Sequence, residues 1–257
     1  MERRDFLKST IIAVAGAAVP MAALELVNPK RVFAENPNLK WVFLVDTTKC
    51  VGCGMCVKAC KTENGIPFEA DVTRTWVERY VITRDGKMLA DSPKGARDGF
   101  TSQVIEQGEA GPVSPKPEDI AKGFFVPKLC NQCDNPPCVQ VCPVGATYKT
   151  PDGPVLIDRT WCIGCGYCVM GCPYGARFFH PIYHVADKCN FCYHRISNGM
   201  KTACVGACPF GARQIGNLKD PNDPVTKVIM EQRVGILKSE YGTKPQAFYI
   251  GLSKEVC

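Results

Sequence analysis

Sixteen of the seventeen cysteines in this 257-residue chain fall into four groups of four, and their spacing constrains the fold more than any other feature. In chain order the groups are Cys50, Cys53, Cys56 and Cys60; Cys130, Cys133, Cys138 and Cys142; Cys162, Cys165, Cys168 and Cys172; and Cys189, Cys192, Cys204 and Cys208. Groups one and three share the spacing C-x2-C-x2-C-x3-C, whereas the middle gap widens to four residues in group two and to eleven in group four. Groups two, three and four end in CPVGA, CPYGA and CPFGA, so the chain contains an internal repeat.

The repeated spacing matches the requirements of an iron–sulfur cube. Three thiolates two residues apart on a tight loop can bind three corners of a [4Fe–4S] cluster, and the fourth cysteine, three residues on, ligates a neighbouring cluster, as in two-cluster ferredoxins. We expect that fourth cysteine to begin a short helix, with the following proline in the first turn, where no backbone N–H is needed. The glycines let the backbone pass close to sulfur without a Cβ in the way. The sequence therefore predicts [4Fe–4S] clusters.

Zinc and disulfide bonds are the competing explanations for so many cysteines. Pairs of cysteines two residues apart also form tetrahedral zinc sites, but an all-cysteine zinc site uses two such pairs, so a third cysteine at the same spacing would be left without metal. Cysteines two apart on a tight loop seldom reach disulfide geometry. The triple spacing and the repeated CP ending favour iron–sulfur clusters over both.

Four other residues could bind metal or react. Cys257 is the last residue of the sequence and is far from every group, so we expect a free thiol on the chain terminus. The three histidines, His180, His184 and His194, could ligate haem or a metal ion. The pattern FFHPIYH is more typical of packing beside a loop, and we predict no ligand role for them.

The N-terminal segment, MERRDFLKST, predicts the cellular compartment. The paired Arg3 and Arg4, followed by FLK and the apolar run 11–19, are typical of a twin-arginine export signal. The apolar run is too short to span a bilayer, and a small-residue cleavage site precedes Glu35. We therefore expect residues 1–34 to be the signal and the protein to be exported, folded and with its clusters loaded, to the periplasmic side of the cytoplasmic membrane. An uncleaved anchor or an ordinary basic N-terminus remains the alternative.

The formal net charge of +6 does not indicate a nucleic-acid-binding protein. Residues 1–34 carry five Lys or Arg and three Asp or Glu, a net +2, so the chain without them carries +4. Each oxidised cluster with its four thiolates adds about −2, which brings a four-cluster protein to about −4. Basic residues beside the groups, such as Lys49, Lys188 and Arg213, are therefore interpreted as compensation for cluster charge.

Three segments between the groups have recognisable patterns. WVFLVD, residues 41–46, predicts a strand that leads into group one. Residues 146–158 predict a hairpin whose turn is Pro151-Asp152-Gly153. The stretch 91–117 is rich in Gly, Pro and Ser and contains no cysteine, so we expect a surface excursion there.

The four groups, the widened second gap, the long fourth gap and the RRDFLK leader together resemble one known family. The chain is similar to the four-cluster iron–sulfur subunits of the dimethyl sulfoxide reductase type, found in polysulfide, tetrathionate and related molybdopterin oxidoreductases and with some membrane-bound hydrogenases. The resemblance implies an α+β fold of short strands, short helices and long loops, built as two ferredoxin-like two-cluster units. It implies that residues 35–127 and 186–257 form the first unit and that residues 128–185 form a second unit inserted into it.

The resemblance also implies which cysteines share a cluster. Cluster A takes Cys50, Cys53, Cys56 and Cys208; cluster B takes Cys60, Cys189, Cys192 and Cys204; cluster C takes Cys130, Cys133, Cys138 and Cys172; and cluster D takes Cys142, Cys162, Cys165 and Cys168. Because group three keeps all four cysteines, four [4Fe–4S] clusters are expected. The chain departs from its own repeat after Cys60, where Lys61 replaces proline, and this puts the local turn in doubt but not the ligand.

By the same resemblance the protein catalyses no reaction of its own. It would relay electrons between a large catalytic subunit, of the molybdopterin or hydrogenase type, and a membrane subunit that reacts with quinone. Two alternatives stay open: a free periplasmic polyferredoxin that shuttles electrons among several partners, and a zinc-stabilised interaction module. Neither nucleic acid nor a membrane span of the mature chain enters any of these interpretations.

Overall fold

The computed structural model describes residues 36–106 and 111–256. The predicted export signal, residues 1–34, and Cys257 lie outside the described residues. From Pro37 onward the described residues form one unit of short helices and strands, which confirms the α+β class. Within these two ranges no helix is both long enough and apolar enough to span a bilayer.

A four-stranded sheet joins the beginning of the described chain to its end. The predicted strand 41–46 is confirmed as β1 (Trp41–Asp46), which pairs antiparallel with β11 (Arg213–Asn217) and parallel with β13 (Ala247–Ile250). The short strand β12 (Val234–Gly235) pairs with the outer edge of β13. The strand order is therefore β11-β1-β13-β12, with β1 bonded on both sides by strands from the last fifth of the chain.

The side chains of β1 alternate between two apolar clusters, as the period of a strand requires. Val42 and Leu44 pack on one face with helix α6 (Pro224–Glu231), whose N-terminus is capped by the Asp223 carboxylate. Phe43 and Val45 point to the other face, into the main core, where buried cysteines of groups one, two and four also lie. Strand β1 thus supports the cysteine-lined side of the protein from behind.

A second sheet of three antiparallel strands contains the longest strands of the described chain. Its central strand β2 (Thr75–Thr83) pairs with β6 (Ile120–Leu129) on one side and with β3 (Met88–Asp91) on the other. Arg79 of β2 donates to both carboxylate oxygens of Asp91, at 2.9 and 2.6 Å, and so fastens β2 to β3. The patterns used above did not predict this sheet.

The expected surface excursion, residues 91–117, is only partly at the surface. It contains a small hairpin of β4 (Ile105–Glu106) and β5 (Pro112–Val113), of which Ile105 is buried. A 3-10 turn at Pro93–Ala96 packs against the loop of cysteine group one, and Ala96 is fully buried there. The prediction of an exposed excursion is therefore wrong for the first part of the segment. The glycines of the group-one loop have no side chains, so the backbone of this segment packs directly against the loop.

Short helices carry the cysteine groups. Four of them each contain the third cysteine of a group, and a fifth follows Cys192: α1 (Met55–Glu63), α2 (Pro137–Gln140), α3 (Tyr167–Met170), α4 (Tyr193–Ile196) and α5 (Ala203–Gly206). The expectation that the fourth cysteine begins a helix is therefore wrong. In groups two, three and four the helix ends two residues before the fourth cysteine, and in group one it continues through Cys60.

The proline of the repeat explains where these helices end. A proline disfavours helical backbone at the residue before it, so Pro143, Pro173 and Pro209 exclude the fourth cysteines of groups two to four from a helix. Lys61 imposes no such restriction, and α1 runs on to Glu63. The one departure from the repeat thus accounts for the one long cysteine helix.

Two small hairpins follow groups two and three. The predicted hairpin 146–158 is confirmed as β7 (Thr147–Lys149) and β8 (Val155–Ile157), joined through a turn at residues 150–154. Strand β9 (Arg177–Phe179) pairs antiparallel with β10 (Ala186–Lys188), which leads directly into Cys189. Each hairpin therefore pairs the segment that follows one cysteine group with the segment that leads into the next cysteine group.

Candidate metal centres

Two glycines allow the group-one loop to be enclosed by its neighbours. Gly52 and Gly54 both have positive φ angles, +69° and +75°, which residues other than glycine rarely adopt. A Cβ on Gly54 would lie 2.2 Å from the carbonyl oxygen of Ala96, and one on Gly52 would meet the rings of Phe125 and Phe100. The loop that carries Cys53 and Cys56 is therefore fixed by backbone contact from the segment after β3.

The four cysteines expected to hold cluster A line one cavity. Cys50, Cys53, Cys56 and Cys208 all face it, together with Arg213 at the start of β11. Burial raises the pKa of the Cys50 thiol to about 11, and a backbone hydrogen bond from Gly52 and the charge of Arg213 oppose that increase. The cavity is a site where thiolates require a positively charged partner, which the iron of a cluster supplies.

The structure also brings the cluster B cysteines together. Cys60, on α1, interacts electrostatically with Cys189, Cys192 and Cys204, and all four side chains are buried. Helices α1 and α5 pack against each other, which sets group one beside group four. Burial raises the pKa of Cys60 well above its ordinary value, and the three neighbouring sulfurs raise it further.

The cluster C cysteines meet in the same way. Cys133 interacts electrostatically with Cys130, Cys138 and Cys172, so three cysteines of group two lie beside the last cysteine of group three. Burial is the main reason that the pKa of Cys133 rises to about 12. This arrangement repeats, in the middle of the chain, the one seen for cluster A.

The structure groups the cluster D cysteines less directly. Helices α2 and α3 pack against each other, and the side chain of Val141 lies beside Gly171, so Cys142 is close to group three. Burial acts to raise the pKa of Cys142, but backbone N–H groups, Thr147 first among them, donate hydrogen bonds that lower it below its ordinary value. Cys168 is buried whereas Cys165 is exposed.

The grouped cysteines fit iron–sulfur clusters in their chemistry. All sixteen are free thiols, and none of them forms a disulfide. Burial raises the pKa of cysteines in sets A, B and C, so an unligated thiolate there would be costly, whereas a ferric or ferrous cluster accepts it. The donor set of four cysteines per site is the one that [4Fe–4S] clusters use.

Two buried arginines lie at the cysteine sites, and the sequence analysis identified only one of them. Arg213 was noted as a nearby charge, but Arg177, at the same place in the repeat, was missed. Burial opposes the charge of both guanidinium groups, yet neighbouring cysteine sulfurs raise their pKa above the ordinary value for arginine. The shared ending CPxGAR of groups three and four is the signal that could have identified them.

The histidine side chains make contacts with residues other than the cysteines. His194 pairs with Glu63 through Nε2 at 2.7 Å, and His180 is buried with its Nδ1 accepting the N–H of Ile182. Residue His184 sits in a left-handed turn after β9. In residues 36–106 and 111–256, no three His, Cys, Asp or Glu side chains are clustered as a single-ion site would require.

Comparison with protein families supports this interpretation of the cysteines. The chain matches the family description "4Fe-4S dicluster domain" twice, over residues 49–146 and over residues 121–218. The first match contains cysteine groups one and two, and the second contains groups two, three and four. Together the two matches account for four [4Fe–4S] clusters.

Curated relatives align with nearly the whole chain. It is 37% identical to a tetrathionate reductase subunit of Salmonella typhimurium, over 97% of this chain and 88% of the relative. It is 34% identical to Hdr-like menaquinol oxidoreductase iron-sulfur subunit 1 of Archaeoglobus fulgidus, over 99% of this chain and 100% of the relative. It is also 34% identical to a selenate reductase subunit of Mesobacillus selenatarsenatis, over 83% of this chain and 72% of the relative.

Proposed function

The chain belongs to the four-cluster iron–sulfur subunits of the dimethyl sulfoxide and tetrathionate reductase type, and from this we propose that it conducts electrons between a catalytic subunit and a membrane subunit that reacts with quinone. It is an electron-transfer subunit and not the catalytic one, because its relatives are iron–sulfur subunits of reductase complexes. The name of one relative includes menaquinol, and this supports quinol or quinone at one end of the path.

The protein carries four [4Fe–4S] clusters, which supply one-electron centres when bound. We propose the ligand sets A to D given above. Electrostatic contact among the cysteines supports sets B and C, and the common cavity supports set A. The packing of α2 on α3 supports set D.

We further propose that the clusters lie in two ferredoxin-like units, with residues 128–185 inserted between 35–127 and 186–257. The pairing of β1 with β11 and β13 supports a first unit made from both ends of the chain. The packing of α1 on α5 and of α2 on α3 supports the same division, because it joins group one to group four and group two to group three.

We propose that residues 1–34 direct export to the periplasmic side by the twin-arginine route. The RRDFLK sequence supports this, and the route suits a protein whose clusters are inserted before transport. Replacing Arg3 and Arg4 by lysine should leave the cluster-loaded protein in the cytoplasm, as measured by cell fractionation. Unchanged periplasmic recovery of that variant would rule out this route.

The observation that carries the proposed function is the set of sixteen free cysteines in a chain that aligns over 97% of its length with a tetrathionate reductase subunit. Affinity purification from solubilised membranes tests it. A molybdopterin-containing or hydrogenase-type large subunit and a membrane protein should co-purify with the chain. Recovery of a soluble single chain would indicate a free polyferredoxin instead.

Metal analysis tests the clusters separately from the partners. Anaerobically purified protein should contain about sixteen irons and a similar amount of acid-labile sulfide per chain. A colourless protein that contains zinc would indicate the zinc-stabilised module. A value of about eight irons would mean that half of the proposed ligand sets are wrong.

A further inference from the structure

Two arginines occupy the same place in the internal repeat. Arg177 and Arg213 stand five residues after Cys172 and Cys208, at the end of the sequence CPxGAR, and begin strands β9 and β11. Their exposed fractions are only 4% and 2%. Because a guanidinium group stays charged in proteins, each position places a permanent positive charge inside the protein.

Each guanidinium group uses only part of its hydrogen-bonding capacity on the protein. Nη1 of Arg213 donates to the hydroxyl of Thr75 at 2.8 Å, and Nη1 of Arg177 donates to the hydroxyl of Thr147 at 3.2 Å. Nη2 of Arg213, and both Nε and Nη2 of Arg177, have no hydrogen-bond partner among the described residues. Buried charged donors without partners are strongly unfavourable, so these N–H groups require an acceptor.

The two arginines interact electrostatically with cysteines from both proposed ligand sets of a unit. Arg213 interacts electrostatically with Cys50 and Cys56 of set A and with Cys204 of set B, and it lines the cavity of set A.

The second arginine has the corresponding surroundings. Arg177 interacts electrostatically with Cys130 and Cys138 of set C and with Cys168 of set D. Each arginine thus lies between the two ligand sets of one proposed unit.

Other buried cations near the cysteines are matched by oxygen atoms instead. Lys61 donates to the carbonyl oxygens of Pro67, Phe68 and Ala70. Arg74 forms a buried ion pair with Asp187 at 2.8 Å. The free donors of Arg177 and Arg213 are therefore a specific property of these two positions and not of buried cations in general.

We propose that Arg213 sets the reduction potentials of clusters A and B, and that Arg177 sets those of clusters C and D, by directing charge and N–H groups at cluster sulfur. The inference rests on the proposed ligand sets. Reduction adds one negative charge to a cluster, and a fixed positive charge in a region of low dielectric stabilises that reduced state. Hydrogen bonds to cluster sulfurs act in the same direction. Neither arginine is a cluster ligand, and each one raises the reduction potentials of two clusters.

Redox titration monitored by electron paramagnetic resonance tests the proposal on the full-length, cluster-loaded protein. In Arg213→Gln, two of the four midpoint potentials should fall, each by at least a tenfold change in the reduction equilibrium, or about 59 mV for one electron. The other two should stay unchanged. In Arg177→Gln the midpoint potentials of the other two clusters should fall instead.

Three further variants separate potential setting from a structural role. Arg213→Lys and Arg177→Lys keep the charge but lose the planar set of donors, so the same two potentials should fall by a smaller amount. Arg79→Gln removes a largely buried arginine whose charge is already paired with Asp91, and all four potentials should stay in place.

The iron content of each variant shows which proposal fails. If the variants retain about sixteen irons and all four potentials are unchanged, the inference is wrong and the electron-transfer function stands. A shift common to all four clusters would also overturn it. If a Gln variant loses iron, the Lys variant decides, because unchanged potentials there would again contradict the proposal. An iron content of about eight in the unmodified protein would instead contradict the proposed ligand sets.

Discussion

At the scale of single residues, Gly54 decides whether the group-one loop can take the conformation that cluster A requires. The residue lies between Cys53 and Cys56, directly before helix α1. Its left-handed backbone and the nearby carbonyl oxygen of Ala96 leave no room for a side chain. Gly166 holds the equivalent left-handed position in group three, so the two groups with the same cysteine spacing share this requirement.

We expect Gly54→Ala to lose cluster A. An alanine in left-handed backbone costs about 1–2 kcal/mol, and its Cβ would also collide with the Ala96 carbonyl oxygen, so the loop must move. Iron analysis should show a loss of about four of the roughly sixteen irons.

Gly86 offers a matched control for this substitution. Its φ is +82°, but a Cβ there would have no neighbour within 4 Å. Gly86→Ala should therefore carry the same backbone strain without a collision and retain all of its iron. Full iron content in Gly54→Ala would show that the loop adapts and that the close contact with Ala96 is not required.

At the scale of secondary-structure elements, the turn between β7 and β8 fastens the middle segment of the chain to the segments that precede and follow it. The Asp152 carboxylate accepts a hydrogen bond from the indole of Trp41 at 3.0 Å and from the hydroxyl of Tyr193 at 3.2 Å. The backbone carbonyl of Asp152 also accepts the N–H of Trp41. One turn therefore contacts β1 and α4, which flank the middle segment in the sequence.

Asp152→Ala should lower the stability of the protein. The substitution leaves the partly buried donors of Trp41 and Tyr193 without their acceptor, which should cost about 1–3 kcal/mol. The expected result is a drop of several degrees in the melting temperature, measured by circular dichroism on cluster-loaded protein.

Asp158 provides the control, because its carboxylate accepts from the nearby residues Thr160 and Trp161. Asp158→Ala should lower the melting temperature by less than Asp152→Ala does, since the hydrogen bonds that it removes are local and solvent-exposed. Equal drops in the two variants would contradict a specific role for the Asp152 contacts.

Local patterns predicted some elements and missed others for a physical reason. Strand β1 and the β7–β8 hairpin were predictable because alternation and turn residues are local properties of the sequence. The pairing of β2 with β6 joins Thr75 to Leu129 and depends on contacts far apart in the chain. The burial of Ala96 likewise depends on Gly54, more than forty positions earlier.

The candidate site likewise contains residues that the sequence predicted and one that it did not. The sixteen cysteines were identified from spacing alone, and the ligand sets stay a prediction supported by proximity. The second member of the buried arginine pair, Arg177, was missed, because a basic residue in a repeat does not reveal that it is buried. Only the folded structure shows that its guanidinium group is buried near cysteines with donors to spare.

At the scale of the whole molecule, the four clusters should act in series between two partner subunits. Cys165→Ser removes one proposed ligand of cluster D, and electrons must then bypass or cross a damaged centre. Turnover of the complete complex with quinol and the terminal acceptor should fall at least tenfold. Unchanged turnover would contradict a serial path.

Cys257 supplies a control of the same chemical type. It belongs to none of the four groups, so Cys257→Ser should keep the iron content and the turnover of the unmodified complex. A loss of iron in this variant would mean that the grouped cysteines do not supply all of the ligands.

The double pairing of β1 has a consequence for the order in which the protein is made. Residues 41–46 leave the ribosome well before both strands that flank them, 213–217 and 247–250, have been synthesised. The sheet that packs behind the first cysteines of the nascent chain therefore cannot form until those later strands have been made. A chain that stops short of residue 247 would leave one edge of this strand open, so premature termination should yield a product that proteases remove.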